Sequence, residues 1–315
     1  MKNKSTTFFS QNIVKTFATF LVLFFLVCMI KSPAKYISVS LDGISAWTFN
    51  VLPSVLPFMF FTRLLSSLGT LPKLTKPFSF LTRKMFGTPP ISIYAFLMAI
   101  LSGYPVGSKI VSDLYLQGKI SQNDAFKMLS FCSTSGPMFI VGAVGVKMFH
   151  SAKIGYLLFA SHILGAMING LVFRSLSSKK QETHSNFTLT RQSFDVNEIV
   201  LNSTLSILSV GCIIVIFFII VETLMSLFNL LPQNISALLQ GVIEITKGSL
   251  SLSVLPNRFF AVCAASFVIS FGGISTLLQS IAMTSKIKMP TLFFAFQKLT
   301  HGVLSCIITV LLLLI

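Results

Sequence analysis

The 315 residues include 24 basic and 8 acidic side chains, a formal net charge of +16, yet only 10% are charged, 53% are hydrophobic and the mean hydropathy is +0.84. An ordinary soluble domain carries about 25% charged residues, so water is excluded as the main solvent. The Lys and Arg residues are scattered between apolar runs with no basic stripe or interleaved aromatic motif. They read as loops that obey the positive-inside rule near anionic lipid, and no nucleic-acid partner is expected.

Uncharged runs set the architecture: Ile154 to Phe173, Ser203 to Val221, Phe259 to Ser285, and Thr16 to Ile30 with only Lys15 nearby. About 20 apolar residues at 1.5 Å each cross a hydrocarbon core about 30 Å thick, and helices fit runs of this length where barrel strands do not. The expected fold is all-α, a polytopic transmembrane bundle whose main partner is the lipid bilayer. Membrane segments are predicted over 12–30, 48–69, 91–118, 121–148, 153–174, 203–227, 258–286 and 290–315.

In chain order, Lys2 and Lys4 precede an apolar stretch without an A-x-A-like cleavage site, so the first segment is expected to be a retained helix. The segment 91–118 is interrupted by Ser102-Gly103-Tyr104-Pro105-Val106-Gly107, where proline removes a helix donor and glycines raise the cost of continuing. Two half-helices with a non-helical tip are expected there. Ser133-Thr134-Ser135-Gly136-Pro137 breaks 121–148, and Gly272-Gly273 breaks 258–286. Unpaired backbone cannot face lipid, so such breaks persist only when buried in protein or lining a wet cavity.

The clusters Lys2/Lys4, Lys73/Lys76/Arg83/Lys84 and Arg174/Lys179/Lys180/Arg191 fall on one side only if 91–118 is a re-entrant hairpin, which leaves Lys31, Lys35, Lys147 and Lys153 outside. The polar stretch 175–192 divides the chain and is expected to be a cytoplasmic linker. Four parts follow: 1–47, an N-terminal helix and connector; 48–174, a first membrane half; the linker 175–192; and 193–315, a second half. SGYPVGS at 102–108 set against SFGGIST at 270–276 suggests a loose two-part repeat, inverted or not, of the kind that places a transporter's site at its broken helices.

Candidate site residues follow from the breaks. Free N–H groups at half-helix starts and the hydroxyls of Ser133, Thr134 and Ser135 beside Gly136 suit an anionic or hydrogen-bonding solute. Gly103, Tyr104, Pro105 and Gly107 form the first break, with Lys109 and Asp113 four apart just beyond it, placed to pair or to bind solute. Glu244 is a carboxylate in an apolar, helix-like segment beside Thr246, and Gly272, Gly273 and Ser275 form the third break. Glu222 is expected at headgroup level. His162 and His301, each without a metal-ligand partner at helical spacing, read as hydrogen-bonded packing residues, with a proton relay the less common alternative, and Ser161, Gly165 and Gly170 as a close helix contact.

The five cysteines, Cys28, Cys132, Cys212, Cys263 and Cys306, lie in apolar segments without paired spacing and read as small buried hydrophobes. No enzyme motif occurs, and no acidic set that could hold a metal; no catalytic residue, metal or cofactor is expected.

The runs Leu52-Pro53-Ser54-Val55-Leu56-Pro57-Phe58, Ser102 to Lys109 (SGYPVGSK), Phe131 to Ile140 (FCSTSGPMFI) and Glu244-Ile245-Thr246-Lys247-Gly248 together resemble the YlbJ-type sporulation integral membrane proteins. That family is grouped with the nucleoside-recognition or Gate domain proteins, which also occur in concentrative nucleoside transporters and ferrous-iron permeases. The chain departs from the pattern at Ser133 and Thr134, where Asn is expected at one or both positions, so hydroxyls stand in place of a side-chain amide. The resemblance implies a multi-pass cell-membrane protein of an endospore-forming bacterium, needed for spore formation. A permease for a small solute, open to homo-oligomer formation, is the leading expectation; a non-transporting scaffold for spore-envelope assembly is the competing one. A permease needs a polar cavity where the breaks converge, whereas a scaffold would fill that space with Phe and Met.

Overall fold

The computed structural model describes residues 3–175, 195–228 and 230–315. The expected linker 175–192 lies outside the described residues apart from Ser175. Among the described residues every regular element is helical. The first part holds α1 (Asn3–Lys31), α2 (Pro33–Ala46), a π-helical turn (Trp47–Val51), α3 (Leu52–Ser67), α4 (Thr70–Thr75), α5 (Ser79–Phe86), α6 (Ser92–Ser102), α7 (Val106–Leu116), α8 (Gln122–Cys132), a π-helical segment (Met138–Met148) and α9 (Ala152–Val172). The second holds α10 (Val196–Ser226), α11 (Gln233–Ile243), α12 (Ile245–Ser253), α13 (Arg258–Phe271), α14 (Gly273–Thr284) and α15 (Thr291–Leu314).

Among the described residues, five stretches are long and apolar enough to cross a membrane: Pro33–Ser67, Ala152–Ser175, Val196–Ser226, Arg258–Ile287 and Thr291–Leu314. The first begins well before the expected start at 48. The low-hydropathy stretch around Asp42 hid it, but Pro33 suits the first turn of a helix, where its missing N–H has no partner to lose. Capping side chains set several ends. Ser121 and Asp124 form a reciprocal capping box at α8, Asp195 accepts from the backbone of Asn197 and Glu198 at α10, and Asn257 accepts from Phe260 N at α13.

All three expected breaks are present. Gly103 has φ +71°, Gly272 φ +91° and Gly273 φ +72°, values that favour glycine, and Pro105 carries no N–H. The 133–137 break leads into a π-helical segment rather than the α-helix expected to 148. A fourth break, absent from the sequence reading, falls at Glu244, whose extended backbone (φ −141°, ψ 121°) separates α11 from α12. The segment read as one helix there is therefore two. Gly241 and Gly248 let the halves fold together, because a Cβ on Gly248 would lie 1.9 Å from Gly241 Cα.

Three apolar clusters hold the elements. One joins α6, α7 and α8 to α9 and α15, with Phe86 and Phe131 stacked at 4.3 Å. A second joins the π-helical segment, α9 and α11 to α13, and a third joins α2 and α3 to α10. Outside these, large apolar side chains such as Phe20, Ile30, Leu205, Ile216 and Leu311 stand exposed on α1, α10 and α15. Such a surface would aggregate in water and is matched to lipid.

The cysteine expectation needs correcting. Cys132 and Cys263 are buried, but Cys28 and Cys306 are partly exposed and Cys212 exposed, because α1, α10 and α15 each turn one face outward. Glu222 is not merely solvated: its Oε1 lies 3.0 Å from Lys35 Nζ, tying α10 to α2.

Candidate functional site

The breaks meet. A Cβ on Gly103 would lie 2.7 Å from Gly136 N, so the first and second breaks touch backbone to backbone. A Cβ on Gly272 would come 3.3 Å from Tyr104 Cζ, and one on Gly273 would come 3.3 Å from Ile245 N. The third break thus abuts both the first and the break at Glu244. Gly107 has a packing role, since a Cβ there would fall 1.9 Å from Cys132 O.

A cavity of about 400 Å³ opens where they converge. Of the candidate residues, Gly103, Tyr104, Pro105, Lys109, Ser135, Gly136, Glu244, Thr246 and Ser275 line it. Gly107, Asp113, Ser133, Thr134, Gly272 and Gly273 do not. Lys109 is exposed and lines the cavity, and no ion pair joins it to Asp113 among the described residues, so of the two alternatives the pairing is not formed. Within the same wall stand Arg63, Ser206, Ser209, Thr276 and Gln279, which the sequence reading passed over. Arg63 lies in the long apolar α3, and a lone cation there was the available signal; its Nη2 donates to Ser206 Oγ at 2.7 Å.

Glu244 is nearly fully buried, and its Oε2 accepts from Lys247 N at 2.7 Å, capping α12. One carboxylate oxygen is thereby held by backbone at the cavity wall. With Arg63 and Lys109 on other elements, the cavity presents both signs of charge, together with hydroxyls and broken-helix backbone, while Phe58, Met59, Met138, Phe139 and Met283 are among the side chains that make most of its wall apolar. Among the described residues, the buried hydroxyls of Ser133, Thr134 and Ser275 have no partner.

Behind the cavity lies a polar network that the sequence reading only touched. Lys298 on α15 is buried, and its Nζ donates to Tyr104 Oη (2.6 Å) and to the Ser133 carbonyl (2.7 Å). Tyr104 Oη in turn donates to Ser270 O at 3.2 Å. His162 and His301 are fully buried with rings 4.7 Å apart, and both are hydrogen-bonded, as expected of packed histidines. Lys298 was missed because Gln297-Lys298 near the start of a long apolar run reads as an interfacial pair. Gly165 does serve close packing: a Cβ there would lie 2.1 Å from Ser305 Oγ.

This geometry describes an α-helical, multi-pass membrane protein built around convergent broken helices, and residues 48–152 match the Gate family, described as nucleoside recognition. Across 92% of its length the chain is 28% identical, over 332 aligned positions, to the sporulation integral membrane protein YlbJ of Bacillus subtilis (strain 168), of which 80% is covered. The chain is thus similar along nearly its whole length to a sporulation integral membrane protein, and it is a multi-pass protein of the bacterial cell membrane. No solved structure matches.

Proposed function

We propose that the chain is a permease-like protein that passes a small solute through the cavity between its helix breaks, acting in spore formation as the name of its Bacillus relative suggests. The observation that carries this reading is the cavity itself. Its volume of about 400 Å³ falls in the range of small-ligand sites. Its wall contains backbone freed by Gly103, Ser135 and Gly136 and the carboxylate of Glu244, groups that cannot face lipid and need a polar occupant. In this reading 48–174 and 193–315 are two membrane halves that each supply two of the breaks, and the site binds without catalysing.

The test is uptake or efflux in vesicles reconstituted with the purified protein, screening nucleosides, metal ions and small acids. Glu244→Gln keeps an acceptor for Lys247 N but removes the charge, and Ser135→Ala removes one hydroxyl; at least one should lower flux about tenfold or more, a loss of about 1.4 kcal/mol of binding. Flux and spore formation both unchanged in a complemented endospore former, with the variants still in the membrane, would hand the case to the scaffold reading.

A further inference from the structure

Lys298 is the interior feature that solute binding leaves unused. Its Nζ touches Tyr104 Oη and the Ser133 carbonyl and lies 3.4 Å from His301 Nδ1. Among the described residues no carboxylate is within ion-pair distance of it. An ammonium removed from water without a counter-ion is costly, and ionisable groups at membrane depth are rare outside functional sites. Tyr104, at one end of these bonds, lines the cavity.

The partners decide which nitrogen can take a proton. His162 Nε2 must accept, since Ser135 N can only donate to it (2.9 Å), leaving Nδ1–H for Ser270 Oγ (2.8 Å). His301 Nε2 must donate, since the His162 carbonyl can only accept (3.0 Å). The open position is therefore His301 Nδ1, and it faces Lys298 Nζ. The other groups around Lys298 are Tyr104 from the first break, the Ser133 carbonyl with buried Cys132 beside it, and His162 from α9. α13 offers the Ser270 hydroxyl, so no element supplies a carboxylate.

We propose that Lys298 and His301 share one movable proton and that this pair couples proton passage to solute passage through the cavity, an inference that rests on the permease reading. In the transfer, an Nζ–H bond breaks as Nδ1–H forms, moving the positive charge from ammonium to imidazolium while the pair keeps a total charge of one. In release, the Tyr104 hydroxyl turns its proton from Ser270 O to water in the cavity, and Nζ gives a proton to Oη as the phenol passes its own to that water, leaving amine, imidazole and phenol neutral; loading is the reverse, driven by a transmembrane proton gradient. Beyond His301 the buried face of α15 continues through Ser305 and Thr309. Thr309 Oγ1 donates to Ser266 Oγ at 2.7 Å, while among the described residues Ser305 Oγ has no partner, so buried hydroxyls line the seam with α9 and α13 without forming an unbroken hydrogen-bonded chain to His301.

The experiment combines two measurements on the full chain. In lipid nanodiscs, ¹⁵N NMR of histidine-labelled protein should show His301 titrating reversibly within about pH 5–9, and Lys298→Met should move that titration by about one pH unit or more. A His301 signal that stays neutral throughout, or titrates identically in the variant, overturns the shared proton. In vesicles carrying a pH-sensitive dye, solute flux should carry protons with it, and Lys298→Met should lose that proton flux while solute exchange persists. Should Lys298→Met fail to fold, Lys298→Arg keeps a cation that does not give up its proton and should likewise lose proton flux. Solute flux indifferent to an imposed pH gradient overturns the coupling alone. If no solute of the panel moves, the permease reading fails, and the nanodisc titration still decides the proton pair.

Discussion

At the scale of single residues, the glycines at contacts between breaks carry more of the site than its polar side chains. Gly107 sits with Cys132 O where a Cβ would be, and a backbone atom cannot swing aside as a side chain does. Gly118, by contrast, has positive φ (+67°) and open space around it. We expect Gly107→Ala to abolish the monodisperse folded species in detergent size-exclusion chromatography, while Gly118→Ala costs only the about 1–2 kcal/mol of a left-handed alanine and retains it. Equal behaviour of the two would show that the Gly107–Cys132 approach is not needed. Glu244 has two separable roles: Glu244→Ala should lose the cap on α12, worth about 1 kcal/mol, whereas Glu244→Gln should leave thermal stability close to the parent. The positive φ of Gly103 and the cap at Glu244 differ in legibility. A Gly-Tyr-Pro-Val-Gly run announces a break by its own chemistry, whereas Leu-Gln-Gly-Val-Ile-Glu-Ile-Thr-Lys reads as continuous helix, and only the glycine contact between α11 and α12 makes Glu244 a hinge.

At the scale of elements, packing between helices depends on polar side chains that bridge backbone. Asn169 on α9 donates to Ser130 O (2.7 Å) and Gln297 O (3.0 Å) and accepts from Thr300 Oγ1 (2.7 Å), so one amide joins α8, α9 and α15. Asn169→Ala should lower the thermal stability of the detergent-solubilised protein by about 1–2 kcal/mol, in keeping with interhelical hydrogen bonds in membranes. The Lys35–Glu222 pair linking α2 to α10 is partly exposed and should matter less. Replacing Glu222 with Gln should change stability by less than about 1 kcal/mol, and a larger loss would mean that the pair lies deeper in lipid than its exposure implies. The helices themselves were readable from their apolar runs, with ends close to those found for α9, α13–α14 and α15. The partners of Asn169 were not, because three helices distant in sequence meet there.

At the scale of the whole molecule, an outward belt of Phe, Leu and Ile surrounds a polar centre, inverting the pattern of a soluble fold. Ile216 on α10 is 54% exposed and Ile214, two residues away, only 3%. Ile216→Lys places a charge on the lipid face and should reduce insertion by about 2.5–3.5 kcal/mol on translocon scales, read as the membrane-inserted fraction in a glycosylation-mapping assay. Full insertion of that variant would mean that Ile216 faces a partner subunit or water.

The sequence by itself determined the solvent, the helical class, three of the four breaks and the family likeness, because hydropathy, proline and glycine act locally and leave their mark in short windows. Only the tertiary structure decided that those breaks adjoin, that Arg63 and Gln279 share their cavity, and that Lys298 lies buried between Tyr104 and His301. Those facts depend on contacts between residues as far apart as Tyr104 and Lys298, and a one-dimensional pattern holds no record of which interrupted helix meets which.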